Sequence, residues 1–206
     1  MKKIIYTLSI VLALALSANA QIESLAGPRL GLVYISASPG SSFLNGDISL
    51  DDIGELPKDY DELSRGAFTS LYGWQWESRF ADGGQVTGIV EWIALVGGME
   101  KGKFLPSVSS MVGARTSSGL EFALGPNLSL SGIAMVFGVG YNFKSGPLNM
   151  PVNIAFVPGR SKIQEGNDGN RGPDGEWGTS DDVDEYDVDY HTGNRFSITV
   201  GFNLSK

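Results

Sequence analysis

Apolar and polar residues alternate over most of this chain with a period of two, the spacing that places successive side chains on opposite faces of a β-strand. The pattern is cleanest in the run 195–204, RFSITVGFNL. One face of this run holds Phe196, Ile198, Val200, Phe202 and Leu204, whereas the other holds only Arg, Ser, Thr, Gly and Asn. We therefore predict a strand that has an apolar environment on one side and a polar one on the other.

The same pattern, bounded by Gly, Pro, Asn, Asp and Ser, predicts about eight strands. They lie near 28–37, 66–80, 85–98, 102–115, 119–129, 131–144, 147–158 and 193–204. The third and fourth runs have the least distinct boundaries, because both of their faces are apolar.

The connections between these strands indicate how the sheet closes. The two long ones, about 38–65 and 159–192, follow strands one and seven, whereas short Gly-, Ser- and Asp-containing segments follow strands two, four and six. In an antiparallel barrel all odd-numbered strands end on the same side, so both long connections belong to one side. We predict an all-β fold, an eight-stranded antiparallel transmembrane β-barrel with two long extracellular loops.

A soluble barrel of the lipocalin type also alternates, but it buries the apolar face and exposes the polar one. The composition of the polar face favours the membrane. It is mostly Gly, Ala, Ser, Thr and Asn with few charges, which suits a narrow interior, while the opposite face is rich in Phe, Trp, Ile, Leu and Val. The aromatic residues Trp74, Trp76, Trp92, Tyr141 and Tyr72 fit a girdle at the membrane interface better than a sugar-binding platform.

The N-terminus predicts export. Lys2 and Lys3 precede an apolar stretch, 4–16, and Ala18-Asn19-Ala20 matches the cleavage pattern of a signal peptide. We expect residues 1–20 to be removed after Sec export and 21–206 to form one barrel domain in the outer membrane of a Gram-negative bacterium. No later segment has the roughly 20 apolar residues of a spanning helix.

The net charge of −8 disfavours nucleic acid as a partner. This charge is concentrated, because ten carboxylates and one base lie between Glu165 and Asp189. Closely spaced carboxylates among glycines suit Ca2+, which takes six to eight oxygen ligands. The spacing is not that of an EF-hand, but it is similar to Gly- and Asp-rich repeats of bacterial surface proteins. The candidate calcium ligands are Asp168, Asn170, Asp174, Asp181, Asp182 and Asp184, and the alternative is a solvated acidic loop.

Several charged residues share the polar face and should lie inside the barrel. They are Arg29, Glu77, Arg79, Glu91, Arg115, Glu121 and Arg195. Because buried charges need partners, we expect a network of salt bridges that fills the lumen, with a gated ion path as the alternative. Arg29 and Arg195 lie on the first and last strands, so we expect them to face each other across the closing seam.

Two features of the predicted loops remain. His191, the only histidine, lies near Asp187 and Asp189, but one histidine beside carboxylates without an accompanying nucleophile is weak support for catalysis. The first long connection contains the segment 50–63, which predicts one or two helical turns with a small apolar face.

The segments SSGLEFALGPNLSLSGIAMVFGVGYNFKSGPLNMPVNIAFVPG and RFSITVGFNL resemble small outer-membrane β-barrel proteins of the OmpA/OmpX-like kind, and porin-like barrels of Bacteroidota. The resemblance implies location and architecture but no established activity. Our leading hypothesis is a non-enzymatic barrel that contacts membrane lipid and, through its outer loops, other outer-membrane proteins, as a subunit of a larger complex. The alternatives are a narrow pore or small-ligand-binding barrel, and a rim enzyme that uses His191.

Overall fold

The computed structural model describes residues 25–53, Leu56, Tyr60, 65–165 and 187–205. The predicted signal peptide, residues 1–20, lies outside these residues. So do all six candidate calcium ligands, Asp168, Asn170, Asp174, Asp181, Asp182 and Asp184. Within the described ranges, no helix is long and apolar enough to cross a membrane.

The described residues are mostly β-structure, with a short α-helix in the first long connection. The elements are β1 Leu25–Ile35, α1 Pro39–Asn45, β2 Ala67–Asp82, β3 Val86–Gly97, β4 Leu105–Thr116, β5 Leu120–Ser129, β6 Gly132–Ser145, β7 Leu148–Val157, β8 Ser161–Glu165, β9 Asp187–His191, β10 Arg195–Gly201 and β11 Asn203–Ser205. Two 3-10 turns, Asp51–Ile53 and Met99–Lys101, complete the set.

The strands close into a barrel. Each of β1 to β7 pairs antiparallel with the next, and β10 and β11 lie between β7 and β1. Since β10 and β11 follow each other as one stave, the barrel has eight staves. The structure confirms the predicted all-β, eight-stranded antiparallel closed barrel.

The last stave is interrupted at Phe202 although its register does not change. Phe202 falls opposite Pro28 of β1, and the stave's other neighbour, β7, carries Pro151 next to the same point. Proline has no N–H to donate, so both sides of the stave lose a ladder hydrogen bond here. The Phe202 N–H still donates to the Pro28 carbonyl at 3.1 Å. The interruption is therefore local, and the barrel stays closed.

The two ends of the barrel differ in their connections. At one end, the turn end, β2–β3, β4–β5 and β6–β7 are joined by two or three residues. At the other, the loop end, the connections are 36–66, 98–104, 130–131 and 158–194. The prediction that both long connections share one side is confirmed. Two elements inside these connections were not predicted. The first connection contains α1, and the second contains the hairpin of β8 and β9.

Local sequence explains α1. Ser38 caps its N-terminus, accepting from the Ser41 N–H at 3.2 Å while the Ser41 hydroxyl accepts from the Ser38 N–H at 2.9 Å. Pro39 occupies the first turn, where its missing N–H costs nothing. Gly46 ends the helix with φ of 79°, a left-handed conformation that glycine adopts without strain. The predicted helical segment 50–63 is described only in part, and that part includes the turn Asp51–Ile53.

Side-chain burial alternates along the staves. Large apolar side chains point outward and stay exposed, such as Phe68 at 69% and Leu32 at 58%. Inward side chains are buried and often polar, such as Arg29 and Glu77, each at 1%. The indistinct pattern of β3 has a structural reason, because its inward face contains the apolar residues Ile89 and Ile93 beside the buried Glu91. The inward face of β4 is mixed, with Met111 between Ser109 and Arg115.

Candidate functional site: the barrel interior

An ion-pair cluster lies inside the barrel near the turn end. Arg115 on β4 donates from Nη1 to Glu77 Oε1 at 2.7 Å and from Nη2 to Glu77 Oε2 at 2.5 Å. Its Nε donates to Glu121 Oε1 on β5. All three side chains are buried, so this forked arginine compensates two carboxylates that would be costly to bury alone, while Glu121 Oε2 has no hydrogen-bond partner among the described residues.

A second cluster lies beside the first and depends on an uncharged residue. Gln75 on β2 accepts from Arg29 Nε at 2.6 Å through its amide oxygen and donates through Nε2 to Glu91 Oε1. Arg29 also donates to the Pro151 carbonyl at 3.3 Å. Sequence reasoning did not select Gln75, because an amide carries no charge. Its position, two residues from Glu77 on the same strand face, was the available signal.

We call Arg29, Gln75, Glu77, Glu91, Arg115 and Glu121 the charge layer. They come from β1 to β5 and are all buried. Arg79 lies on the turn-end side, with its Nε 3.9 Å from Glu77 Oε1 and its side chain 23% exposed. Together with Arg79, the layer contains three arginines and three glutamates, so it is neutral by simple count. Within it Arg115 pairs with Glu77 and Glu121, whereas Arg29 and Glu91 are joined only through the amide of Gln75.

Arg195 does not lie opposite Arg29, and the expected seam contact is wrong. In the observed register Arg29 pairs with Gly201, whereas Arg195 pairs with Ile35 at the other end of β1. Arg29 faces a glycine because its own side chain fills the space, and a Cβ on Gly201 would lie 3.0 Å from Arg29 Nε. Parity placed both arginines inside, but parity contains no information on strand register.

Arg195 instead lies near the loop end, apart from the charge layer. Its Nη1 donates to Ser129 Oγ at 2.8 Å. Its Nε is buried and has no hydrogen-bond partner among the described residues. None of the described carboxylates forms a salt bridge with it. A partly buried guanidinium with an unused N–H is therefore available to an acceptor.

A cavity of about 130 Å³ extends from the charge layer toward the loop end. Its wall is mostly apolar, and Arg195, Asn127 and Asn153 supply polar groups. The apolar part includes Ile93, Leu95, Met111, Val136 and Val157. In this half of the barrel, paired charges do not occupy the lumen. The apolar residues Ile93 and Leu95 on the inward face of β3 were the sequence signal for the cavity.

The first long connection covers the mouth. Leu44 of α1 packs with Val33, Ile35, Ala67 and Leu71 at the rim. On the opposite side of α1, Phe43 packs in a cluster with Ile48, Leu56, Tyr60 and Val188. This second cluster joins α1 to the hairpin of β8 and β9, so the two long connections form one cover.

The β3–β4 connection is tied to β2 at the same end. Glu100 accepts from Thr69 Oγ1 at 2.5 Å, from the Ser70 N–H at 3.1 Å and from the Ser70 hydroxyl. Although burial opposes the shift, these hydrogen bonds from Ser70 and Thr69 lower the pKa of Glu100 to about 2.

The aromatic residues named from the sequence lie outside the barrel. Trp74, Trp76, Trp92, Tyr72 and Tyr141 all project from the outer face and are 41–53% exposed. Trp76 pairs with Trp92 across β2 and β3. Near the loop end, cross-strand aromatic pairs recur, with ring centroids 4.8 Å apart in Tyr34–Phe68 and 4.6 Å in Phe156–Phe196.

His191 ends β9, away from the charge layer. It is exposed, and its Nδ1 accepts from the Gly193 N–H at 3.1 Å. The described residues include no group of three or more His, Cys, Asp or Glu that could hold a metal ion. The calcium prediction concerns the segment 166–186, outside the described residues, and stays a prediction. Comparison with protein-family models gives no match, and comparison with curated proteins gives none either.

Proposed function

We propose that this chain spans the outer membrane of a Gram-negative bacterium and acts, without catalysis, as a scaffold whose loop-end connections contact other molecules. The outward face of the barrel is the observation that carries the proposal. Every stave exposes at least one large apolar side chain, from Leu32 on β1 to Ile198 on β10. Soluble monomers rarely expose apolar patches above a few hundred Å². A ring of such residues around the whole barrel suits lipid.

The height of the apolar face supports the same proposal. Phe68 near the loop end and Trp76 near the turn end are eight residues apart on β2. At about 3.3 Å per residue this is roughly 26 Å of strand, or about 20 Å along the barrel axis for a tilt near 40°. With the ring widths added, the distance approaches the roughly 25 Å apolar band of outer-membrane barrels, which aromatic residues border on both sides.

The interior favours a scaffold over an open pore. Six polar residues close the lumen near the turn end, and hydrogen bonds join them to one another. Barrels of eight strands are just wide enough for side chains to fill them. A lumen closed in this way at one end gives rigidity to the elements that the barrel displays, which is what a scaffold requires.

The sidedness follows from the predicted export. Cleavage after Ala20 would leave the new N-terminus near the turn end, and barrels of this class have short periplasmic turns and long outer loops. The loop end would then face outward, with α1, the hairpin of β8 and β9 and the acidic segment 166–186. These connections are the surface that we assign to partners, including other proteins of the same membrane.

Fluorescence quenching tests the membrane assignment. The chain has four tryptophans. Trp177→Phe leaves the three on the outer barrel face, Trp74, Trp76 and Trp92. In vesicles of acyl-brominated phosphatidylcholine we expect strong quenching of this variant, and weak quenching by aqueous acrylamide. Strong acrylamide quenching with no bromolipid effect would show that the barrel faces water. The urea-unfolded variant with the same vesicles is the control.

Affinity purification tests the scaffold role. The protein is tagged at the C-terminus and isolated from solubilised outer membranes, beside a variant that lacks residues 166–186. We expect stable co-purifying proteins that the shortened variant loses. If the intact protein purifies alone, the interaction role is wrong, even if the membrane assignment holds.

Calorimetry with Ca2+ on both forms tests the acidic segment, since the predicted ligands would give heat only in the intact chain.

One observation favours a second candidate, a barrel that holds a small ligand. This observation is the cavity of about 130 Å³ above the charge layer.

A further inference from the structure

The cavity and Arg195 lie together, and side chains that only fill the barrel would account for neither of them. A packed interior leaves few voids larger than a water molecule. Here an apolar wall borders a void of about 130 Å³, and a guanidinium lines the same void. We propose that this cavity binds a small monocarboxylate, with the carboxylate at Arg195 and a short alkyl chain against Ile93, Leu95, Met111, Val136 and Val157. The inference deepens the second candidate function and does not depend on what surrounds the outer face.

The charge of the ligand follows from the unused N–H of Arg195. Arg195 has one hydrogen-bond acceptor, Ser129 Oγ, and its buried Nε has none among the described residues. Arg29 and Arg115 of the charge layer, by contrast, donate from all three guanidinium nitrogens inside the barrel. A carboxylate is the ligand group that a forked guanidinium binds best, through two parallel hydrogen bonds.

The size of the ligand follows from the volume. A cavity of about 150 Å³ with a dry apolar wall takes up benzene. The present cavity is slightly smaller, so it suits an apolar part of roughly four to six carbon atoms. Glu91 and Glu121 border the cavity on the side of the charge layer. Their carboxylates repel a second acidic group, so the ligand should carry only one carboxylate.

The entry route that we propose lies at the loop end. A second cavity of about 90 Å³ lies under the cover and shares Gly40, Leu105, Leu130 and Ser131 with the first. Lys162 of β8 lines this second cavity, with Nζ donating to the Ser131 carbonyl at 3.3 Å. An anion that enters here meets Lys162 first and Arg195 next. Two cations in sequence favour an anionic ligand over a neutral one.

Calorimetry on the full mature chain tests the proposal. The protein is placed in nanodiscs of zwitterionic lipid at pH 7, so that no anionic headgroup competes. The probes are acetate, butanoate, hexanoate and decanoate, with hexan-1-ol as the neutral analogue. We expect saturable binding that is strongest for butanoate or hexanoate, because acetate leaves the apolar wall empty and decanoate exceeds the volume. Empty nanodiscs measure partition into lipid.

Three variants separate the contributions. Arg195→Gln removes the cation and should weaken hexanoate binding about tenfold or more, the cost of losing a charged hydrogen bond. Ala155→Leu fills part of the cavity and should abolish binding of hexanoate while the barrel still folds. Arg65→Gln is the matched control, because Arg65 forms an exposed pair with Asp47 at 3.0 Å outside the cavity. It should bind like the unchanged protein.

Three results would overturn the proposal. The first is absence of saturable binding for every carboxylate. The second is equal affinity for hexan-1-ol and hexanoate, or an unchanged affinity in Arg195→Gln, since either would leave the guanidinium without a role. The third is binding that occurs only after residues 166–186 are deleted, which would assign Arg195 to the chain's own acidic segment. None of these results affects the bromolipid experiment, so the ligand site and the membrane assignment fail separately.

Discussion

At the scale of single residues, we expect the stability of the barrel to depend most strongly on the Glu77–Arg115 pair. Both Arg115 amino groups donate to Glu77, whose side chain is fully buried. Glu77→Gln keeps the size but leaves the guanidinium with half of its charge compensation. We expect a loss of about 3 kcal/mol in the free energy of unfolding, the usual cost of breaking a buried pair from one side. Urea titration of the folded protein measures it.

The exposed pair Arg65–Asp47 provides the matched control. Its N–O distance is 3.0 Å, but 68% of the Arg65 side chain is exposed. Arg65→Gln should therefore cost no more than about 1 kcal/mol. A similar loss in both variants would mean that the interior pair has no special weight. The triple variant Glu77→Gln/Arg115→Met/Glu121→Gln should recover part of the loss, because it removes all three charges of the cluster and leaves none of them uncompensated.

At single positions, the alternation along the strands predicted which side chains point inward but not which of them meet. Period-two parity selected charged residues that the structure places inside the barrel, because alternation alone decides which face a side chain occupies. It did not select Gln75, which carries no charge, although Gln75 joins Arg29 to Glu91. It also misplaced Arg195 relative to Arg29, because the register depends on pairing between distant strands.

At the scale of elements, the β3–β4 connection depends on one carboxylate. Glu100 accepts from Thr69 and Ser70 of β2, and its pKa of about 2 lies below the ordinary value of 4.5. A pKa that folding lowers adds stability above about pH 4.5, and this stability is lost as the pH falls toward 2. The effect is small, because Glu100 is exposed and solvent screens it. NMR titration of the Glu100 carboxyl group should give a midpoint near 2.

Ser70→Ala tests the cause of this shift. The substitution removes the Ser70 hydroxyl but keeps its N–H and Thr69 Oγ1, so the Glu100 midpoint should rise toward 4.5 without reaching it. Ser49→Ala, in the first long connection, should leave it unchanged. A midpoint near 4.5 in the unaltered protein would show that the hydrogen bonds do not persist in solution.

The cover depends on α1, another short element. Ser38→Ala removes the side chain that caps the helix, with an expected cost of about 1 kcal/mol to helix stability. Leu44 lies behind the cap and packs on the rim of the barrel. We therefore expect faster amide hydrogen exchange over 39–46 and unchanged exchange in β5. Unchanged exchange in α1 would show that packing alone holds the cover.

Elements differed in how far sequence predicted them. The strand count, the antiparallel closure and the shared side of the long connections were correct, because short turns and alternation are local signals. The helix α1 was missed, since its seven residues are too few for helical periodicity to be distinct. The cavity was missed because part of its wall, Ile93 and Leu95 on the inward face of β3, has the same apolar composition as the outer face.

At the scale of the whole molecule, the charge layer and the cover together predict a closed lumen. Ions would have to displace paired side chains from five strands, and each disrupted pair leaves a buried charge. We expect no steady conductance in planar bilayers, even when 36–66 is replaced by a short turn, because the layer lies below the cover. The triple variant Glu77→Ala/Arg115→Ala/Glu121→Ala removes half of the layer and should conduct, which shows that the recording detects an open barrel. Steady, selective current through the unchanged protein would instead make it a pore, and the scaffold role would then lose its structural basis.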